Sequence, residues 1–174
     1  MNLRPRLISR IALFSALVYV LSYATSYLPN VSFVFFIVFA AGYLWGAQAG
    51  LLVGLLGMWL WSSFNPFGPA AMPLLAAQMI GAGASGPVGA WFRRCAGGGV
   101  ERTSPQRLIA AAAICTAVYY LPVNAVDAWL YQPFWPRFIG GLPWAAVSLV
   151  SNALIFPLLF PVVVRLYGRE SDSA

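Results

Sequence analysis

The sequence predicts an all-α integral membrane protein, a six-transmembrane-helix bundle with both termini cytoplasmic, and three observations carry that prediction. Of the 174 residues 61% are hydrophobic and 8% charged, too few polar groups to wet the surface of a soluble domain. The apolar residues fall in long runs, at 11 to 29, 70 to 92, 108 to 131 and 143 to 164. Each is close to the roughly 20 residues that cross a hydrocarbon layer of about 30 Å as helix, and none shows the alternating polarity of a barrel strand. The third observation is where the arginines lie between these runs.

Taken in order, the first span is expected at 10 to 29. The leading "MNLRPRLISR" resembles a signal peptide, but the apolar run that follows has no small-x-small cleavage site and reads as a mature span. The stretch 31 to 63 is 33 residues without a charge. As one helix it would measure about 50 Å, which overshoots a bilayer. Split in two, it leaves Arg4, Arg6 and Arg10, Arg93, Arg94, Arg102 and Arg107, and Arg165 and Arg169 on one side, with only Arg137 opposite. Unsplit, it divides the same nine arginines three against six, so the positive-inside rule favours two short spans, 31 to 46 and 49 to 64. A fourth span follows at 71 to 93, a fifth at 107 to 131 and a sixth at 143 to 166, in one domain covering 1 to 174. The outer connections are then "LPN" at 28 to 30, "SSFNPFGPAAM" at 62 to 72 and "YQPFWPRFIGGLP" at 131 to 143. The inner ones are a turn near Gly46 to Gln48 and the polar loop "CAGGGVERTSPQR" at 95 to 107. In this layout the glycines of "GYLWGAQAGLLVGLLG" serve two helices: Gly42 and Gly46 close one, and Gly50, Gly54 and Gly57 line the next for close packing.

All ten basic residues are arginine and the net charge is +6. Their places at helix ends identify them as topology signals facing the lipid bilayer, with no nucleic acid as partner. Cys95 and Cys115 have neither ligand spacing nor a disulfide pattern and read as plain thiols. There is no histidine, and Asp127 is the single carboxylate inside the expected membrane region, which leaves no acid–base pair, no metal cluster and no cofactor site. An enzyme is therefore not expected. With no lysine there is also no phosphate-binding G-x-x-x-x-G-K-[ST] loop, so the chain does not hydrolyse ATP by itself.

Several stretches resemble the substrate-specific S component of energy-coupling factor (ECF) vitamin transporters. The first span holds "ALFSA", whose Ala12 and Ala16 match that family's A-x-x-x-A; "AAGYLWGAQAGLLVGLLG" is similar to its glycine-rich join of spans two and three; and "NPFGPAAMPLLAAQMIGAGASG" resembles its outer loop and the start of its fourth span. The likeness covers essentially the whole chain as a layout and is sharpest from residue 11 to about 94. It implies a multi-pass subunit of the cell's inner (cytoplasmic) membrane that captures a vitamin or vitamin precursor at the outer face. Release inward would then require an ECF transmembrane coupling subunit, contacted through Ala12 and Ala16, and two cytoplasmic ATPases. The alternative is a non-transporting six-span scaffold resembling the rod-shape-determining membrane proteins, which would use the small-residue stripes but no polar binding face.

Candidate substrate contacts follow from polar groups at membrane depth. An intramembrane carboxylate is costly and by default functional. Tyr120, Asn124, Asp127 and Tyr131 follow helical steps of four, three and four and share one face. That stripe either contacts the substrate, with Asp127 accepting from an amino or ring N–H, or Asp127 pairs with Arg137 and pins the loop. Outer rings such as Trp61, Phe64, Phe67, Trp129, Phe134 and Trp144 form either an interfacial belt or a stacking platform, and Trp135 and Arg137 lead the second reading. Asn65, Gln78 and Asn152 complete the candidate set, with turn formation (Asn65) and interhelical bonding (Gln78, Asn152) as their structural alternatives.

Overall fold

The computed structural model describes residues 5–95 and 103–171; within them six helices form and no strand. They are α1 (Pro5–Ala24), α2 (Val34–Trp45), α3 (Ala47–Phe64), α4 (Met72–Cys95), α5 (Pro105–Leu130) and α6 (Phe134–Ser171). Arg4 and Arg102 of the charge count lie outside the described residues. Four helices are long and apolar enough to cross a membrane: α1, α3, α5 and the Phe134–Leu166 part of α6. This is a helical membrane protein by length and composition.

Three expected boundaries are corrected. The first helix runs from Pro5 to Ala24 rather than over 10 to 29, its expected last five residues forming turns. The second element is a helix of 12 residues rather than a span over 31 to 46, because residues 25 to 33 form turns and extended chain ahead of it. The segment 131 to 143, expected as a connection, is helical from Phe134 onward. Its prolines are tolerated: Pro136 falls in the first turn, where backbone N–H groups have no helical acceptor, and Pro143 sits in a helix continued on both sides. The linker between α5 and α6 is thereby shortened to Tyr131, Gln132 and Pro133, with the Gln132–Pro133 peptide bond cis.

α2 occupies the centre. Every residue from Val34 to Leu44 is buried, as a helix apolar on all sides can be in the core of a bundle. The other helices wrap it as an arc, α1 against α3, α3 against α4, α4 against α5 and α5 against α6, with α1 and α6 at the free ends. At about 1.5 Å per residue α2 reaches only about 18 Å. The chain from Thr25 to Phe33 leads into its N-terminal end.

Glycine lets this core close. Gly46 breaks the run 31 to 63 with φ +96°, a backbone state that favours glycine, and the chain reverses so that Gly42 and Gly50 meet across the turn. α4 then presses into that hairpin. A methyl group built on Gly86 would overlap the backbone of Gly50; one on Gly42 would overlap the Gly86 carbonyl; one on Gly89 would overlap the Phe39 carbonyl; and one on Gly54 would lie 2.5 Å from Gly83 Cα. Three backbones therefore touch directly, as small residues allow in membrane bundles.

Arg10, Arg93, Arg107 and Arg165 gather at one end of the bundle. Arg10 stacks over Trp45, 5.6 Å from the ring centroid, and Arg93 donates to the carbonyls of Tyr43 and Leu44 at 3.2 Å each. Arg107 shares a groove with Trp91 and Cys95, and Arg165 another with Thr103 and Pro105. Arg137 lies at the opposite end, with Asp127.

Candidate functional site

At the end opposite the arginines, a cavity of about 210 Å³ opens over the start of α2. Its walls come from the end of α1 (Ser22), the α1–α2 connection (Thr25, Ser26, Asn30, Ser32), the first turn of α2 (Phe35), the end of α3 (Met58, Trp61) and mid-α5 (Tyr119, Tyr120), with Phe67 at the rim. Two of its hydroxyls, Ser22 Oγ and Ser26 Oγ, are buried without a hydrogen-bond partner. Ser22 is only 7% exposed. Buried polar atoms are normally paired, so two orphaned hydroxyls on one cavity mark a place where a ligand or water supplies the missing bonds.

The α1–α2 connection is held over this cavity from the other side of the bundle. Tyr120 donates its hydroxyl to Asn30 Oδ1 at 3.2 Å, and Ser151 Oγ reaches the Asn30 carbonyl at 3.5 Å. Asn30 itself has φ +54°, the left-handed state that asparagine tolerates better than most residues. Tyr119, Tyr120 and Phe35 form an aromatic wall, with Phe35 and Tyr119 centroids 4.9 Å apart and the two tyrosines edge to face at 5.1 Å. Ser32 Oγ accepts from the Val34 N–H at 3.3 Å, so the start of α2 faces the same space.

Of the residues singled out by sequence, Tyr120 and the outer rings Trp61 and Phe67 line this cavity. The Tyr120 stripe instead runs along the seam between α5 and α6. Asn124 sits against Gly141 and its buried Nδ2 has no partner. Asp127 accepts from Arg137 Nε at 2.6 Å and from Nη2 at 3.4 Å, and the Arg137 guanidinium lies 4.7 Å from the Tyr131 ring centroid. Asp127, Arg137 and Tyr131 thus form one closed group at the surface, the pinning arrangement rather than an open carboxylate. Trp135 is exposed and packs edge-on against Phe134 and Phe138, away from the cavity.

The three amides take their structural alternatives. Asn65 Oδ1 accepts from the Phe67 N–H at 2.9 Å while its Nδ2 donates to the carbonyls of Gly68 and Ser62, which closes the turn after α3. Gln78 Oε1 accepts from Ser62 Oγ at 2.7 Å and ties α4 to α3. Asn152, fully buried, donates to Thr116 Oγ1 of α5 at 3.3 Å and, within α6, to Ser148 Oγ at 3.2 Å. Ala12 and Ala16 are exposed on α1, beside Leu13 and Leu17.

The cavity residues that sequence reading passed over lie mostly in one stretch, "SYATSYLPNVS" at 22 to 32. Its density of hydroxyls between two apolar runs was the available signal. Among the described residues no cluster of histidine, cysteine or carboxylate suits a metal ion. No known family model, curated protein or solved structure matches this chain.

Proposed function

We propose that this chain is the substrate-capturing membrane subunit of an uptake transporter of the ECF type. It crosses the cytoplasmic membrane six times with both termini inside. A small vitamin-like molecule enters the cavity above α2 from the outer face and is released inward with the help of a transmembrane coupling subunit and two ATPases. The single observation that carries this reading is the cavity, with its two unpartnered buried hydroxyls, set at the end opposite the arginines. A purely structural scaffold gains nothing from leaving buried hydroxyls unbonded around an open space.

The exposed Ala12–Ala16 face supports the partner contact, since small residues let another helix approach closely. The test is to purify the chain with its membrane complex and identify both bound small molecule and bound proteins by mass spectrometry. A retained small molecule, with a coupling subunit and ATPases lost on Ala12→Trp and Ala16→Trp, is the expected result. Partner proteins of cell-shape machinery with no retained small molecule would instead establish the scaffold.

A further inference from the structure

We infer that the cavity above α2 takes an uncharged, single-ring heteroaromatic molecule bearing both a hydrogen-bond acceptor and a donor. This rests on the reading of the chain as a capture subunit, and three features of the site define the ligand class.

Volume is the first. An apolar cavity of roughly 150 Å³ holds benzene, so about 210 Å³ has room for one ring with a few substituents and falls well short of a three-ring system. Charge is the second. No arginine, aspartate or glutamate lines the cavity. The carboxylate of α5, Asp127, lies seven positions beyond Tyr120, roughly 10 Å along the helix, and is already paired with Arg137. A charged ligand would have to leave water without a counter-ion, which a buried site does not permit cheaply. The start of α2 contributes a partial positive charge of about half a unit, enough to favour an acceptor such as a carbonyl oxygen but not to neutralise a carboxylate.

The third feature is the pattern of polar and aromatic groups. Ser22 and Ser26 each offer a hydroxyl that both donates and accepts, and neither is used within the protein. Thr25 and Ser32 also line the cavity, their hydroxyls bonded to the Leu21 carbonyl and the Val34 N–H but each with capacity left, while Phe35, Tyr119, Tyr120 and Trp61 supply rings. A flat ring is held by such a wall through offset or edge contacts, and its exocyclic amide, hydroxyl or ring N–H meets the serine side.

The experiment uses the full chain in lipid nanodiscs, incubated with an equimolar mixture of three sets of probes. The first set is nicotinamide, pyridoxine, uracil and 5-(2-hydroxyethyl)-4-methylthiazole; the second is their charged counterparts nicotinate, pyridoxal phosphate and orotate; the third is the uncharged multi-ring compounds lumichrome and riboflavin. Retained compounds are measured by mass spectrometry after gel filtration. Retention is expected from the first set alone, falling at least tenfold in the Ser22→Ala, Ser26→Ala double variant. Thr25→Val, which keeps the volume and removes one wall hydroxyl, serves as a second variant, expected to weaken retention severalfold, and thermal unfolding verifies that both variants fold. Dominant retention of a charged or multi-ring compound overturns the ligand class and leaves the capture reading standing. Retention of the first set undiminished in both variants overturns the site, and retention of nothing defeats the capture reading together with it.

Discussion

Asp127 and Arg137 spend their charges on each other. A carboxylate at helix depth is the strongest single signal in an apolar sequence, yet here its oxygens meet a guanidinium that is 46% exposed and stacked on Tyr131. Exposed pairs of this kind contribute little to stability. Asp127→Asn is therefore expected to leave both the thermal midpoint and ligand retention nearly unchanged; a drop in retention beyond tenfold would return Asp127 to the binding site. Tyr120 is the opposite case, a residue whose hydroxyl ties the α1–α2 connection to α5 through Asn30. Tyr120→Phe removes one neutral hydrogen bond, worth about 0.5–1.5 kcal/mol, so ligand retention should weaken roughly two- to tenfold with the fold intact. Equal retention in Tyr120→Phe and the parent would show that the connection needs no latch. Sequence reading found Tyr120 through its helical spacing with Asn124 and Asp127. It passed over Ser22 and Ser26 because serine is ordinary in membrane helices, and only the packing reveals which hydroxyls are left unbonded.

The elements fit because glycine stands where backbones meet. Gly86 sits against Gly50 and Gly42 together, so one methyl group there has no side chain to displace and must push a helix. Gly86→Ala gains helix propensity of about 1 kcal/mol but introduces overpacking of about 1–3 kcal/mol or more. The net effect should lower the thermal midpoint by several degrees, at roughly 2–4 °C per kcal/mol for a chain of this size. Gly140→Ala is the control: nothing lies within 4 Å of an added Cβ, and the same propensity gain should leave the midpoint unchanged or slightly higher. Similar shifts in the two variants would mean that the three-backbone contact does not limit stability. The break at Gly46 was legible because the length of 31 to 63 and the placement of charges both demanded it. The start of α6 was not, since Pro133, Pro136, the Gly140–Gly141 pair and Pro143 mimic a loop in sequence. What carries the helix through them is side-chain packing: Phe134, Trp135 and Phe138 cluster on its first two turns, and Arg137 is anchored to α5.

For the whole molecule, the six helices reverse direction at each connection if α2, only 12 residues long, counts as a crossing together with the chain before it. The proposed topology uses that count. Arg10 and Arg93 both meet the C-terminal end of α2, at Trp45 and at the carbonyls of Tyr43 and Leu44, while the N-terminal end of α2 faces the cavity. Lipid then sees α1 and α6 through residues such as Leu13, Val20, Leu154 and Leu158, all more than half exposed, and α2 needs no lipid contact because the arc encloses it. The arginine end should therefore lie in the cytoplasm and the cavity outside, by the same asymmetry that orients other helical membrane proteins. Cysteine labelling in intact cells with a membrane-impermeant maleimide tests this directly. Native Cys95, exposed at the end of α4, marks the arginine end, and a cysteine at Gln48 in a Cys95→Ser, Cys115→Ala background should behave as Cys95 does, labelling only after the membrane is opened. A cysteine at Tyr27, which is 85% exposed in the α1–α2 connection, should label in intact cells. If Gln48→Cys and Tyr27→Cys label from the same side, α2 and its lead-in chain do not cross, the nine arginines divide between two faces, and the cavity loses its claim to an outer opening.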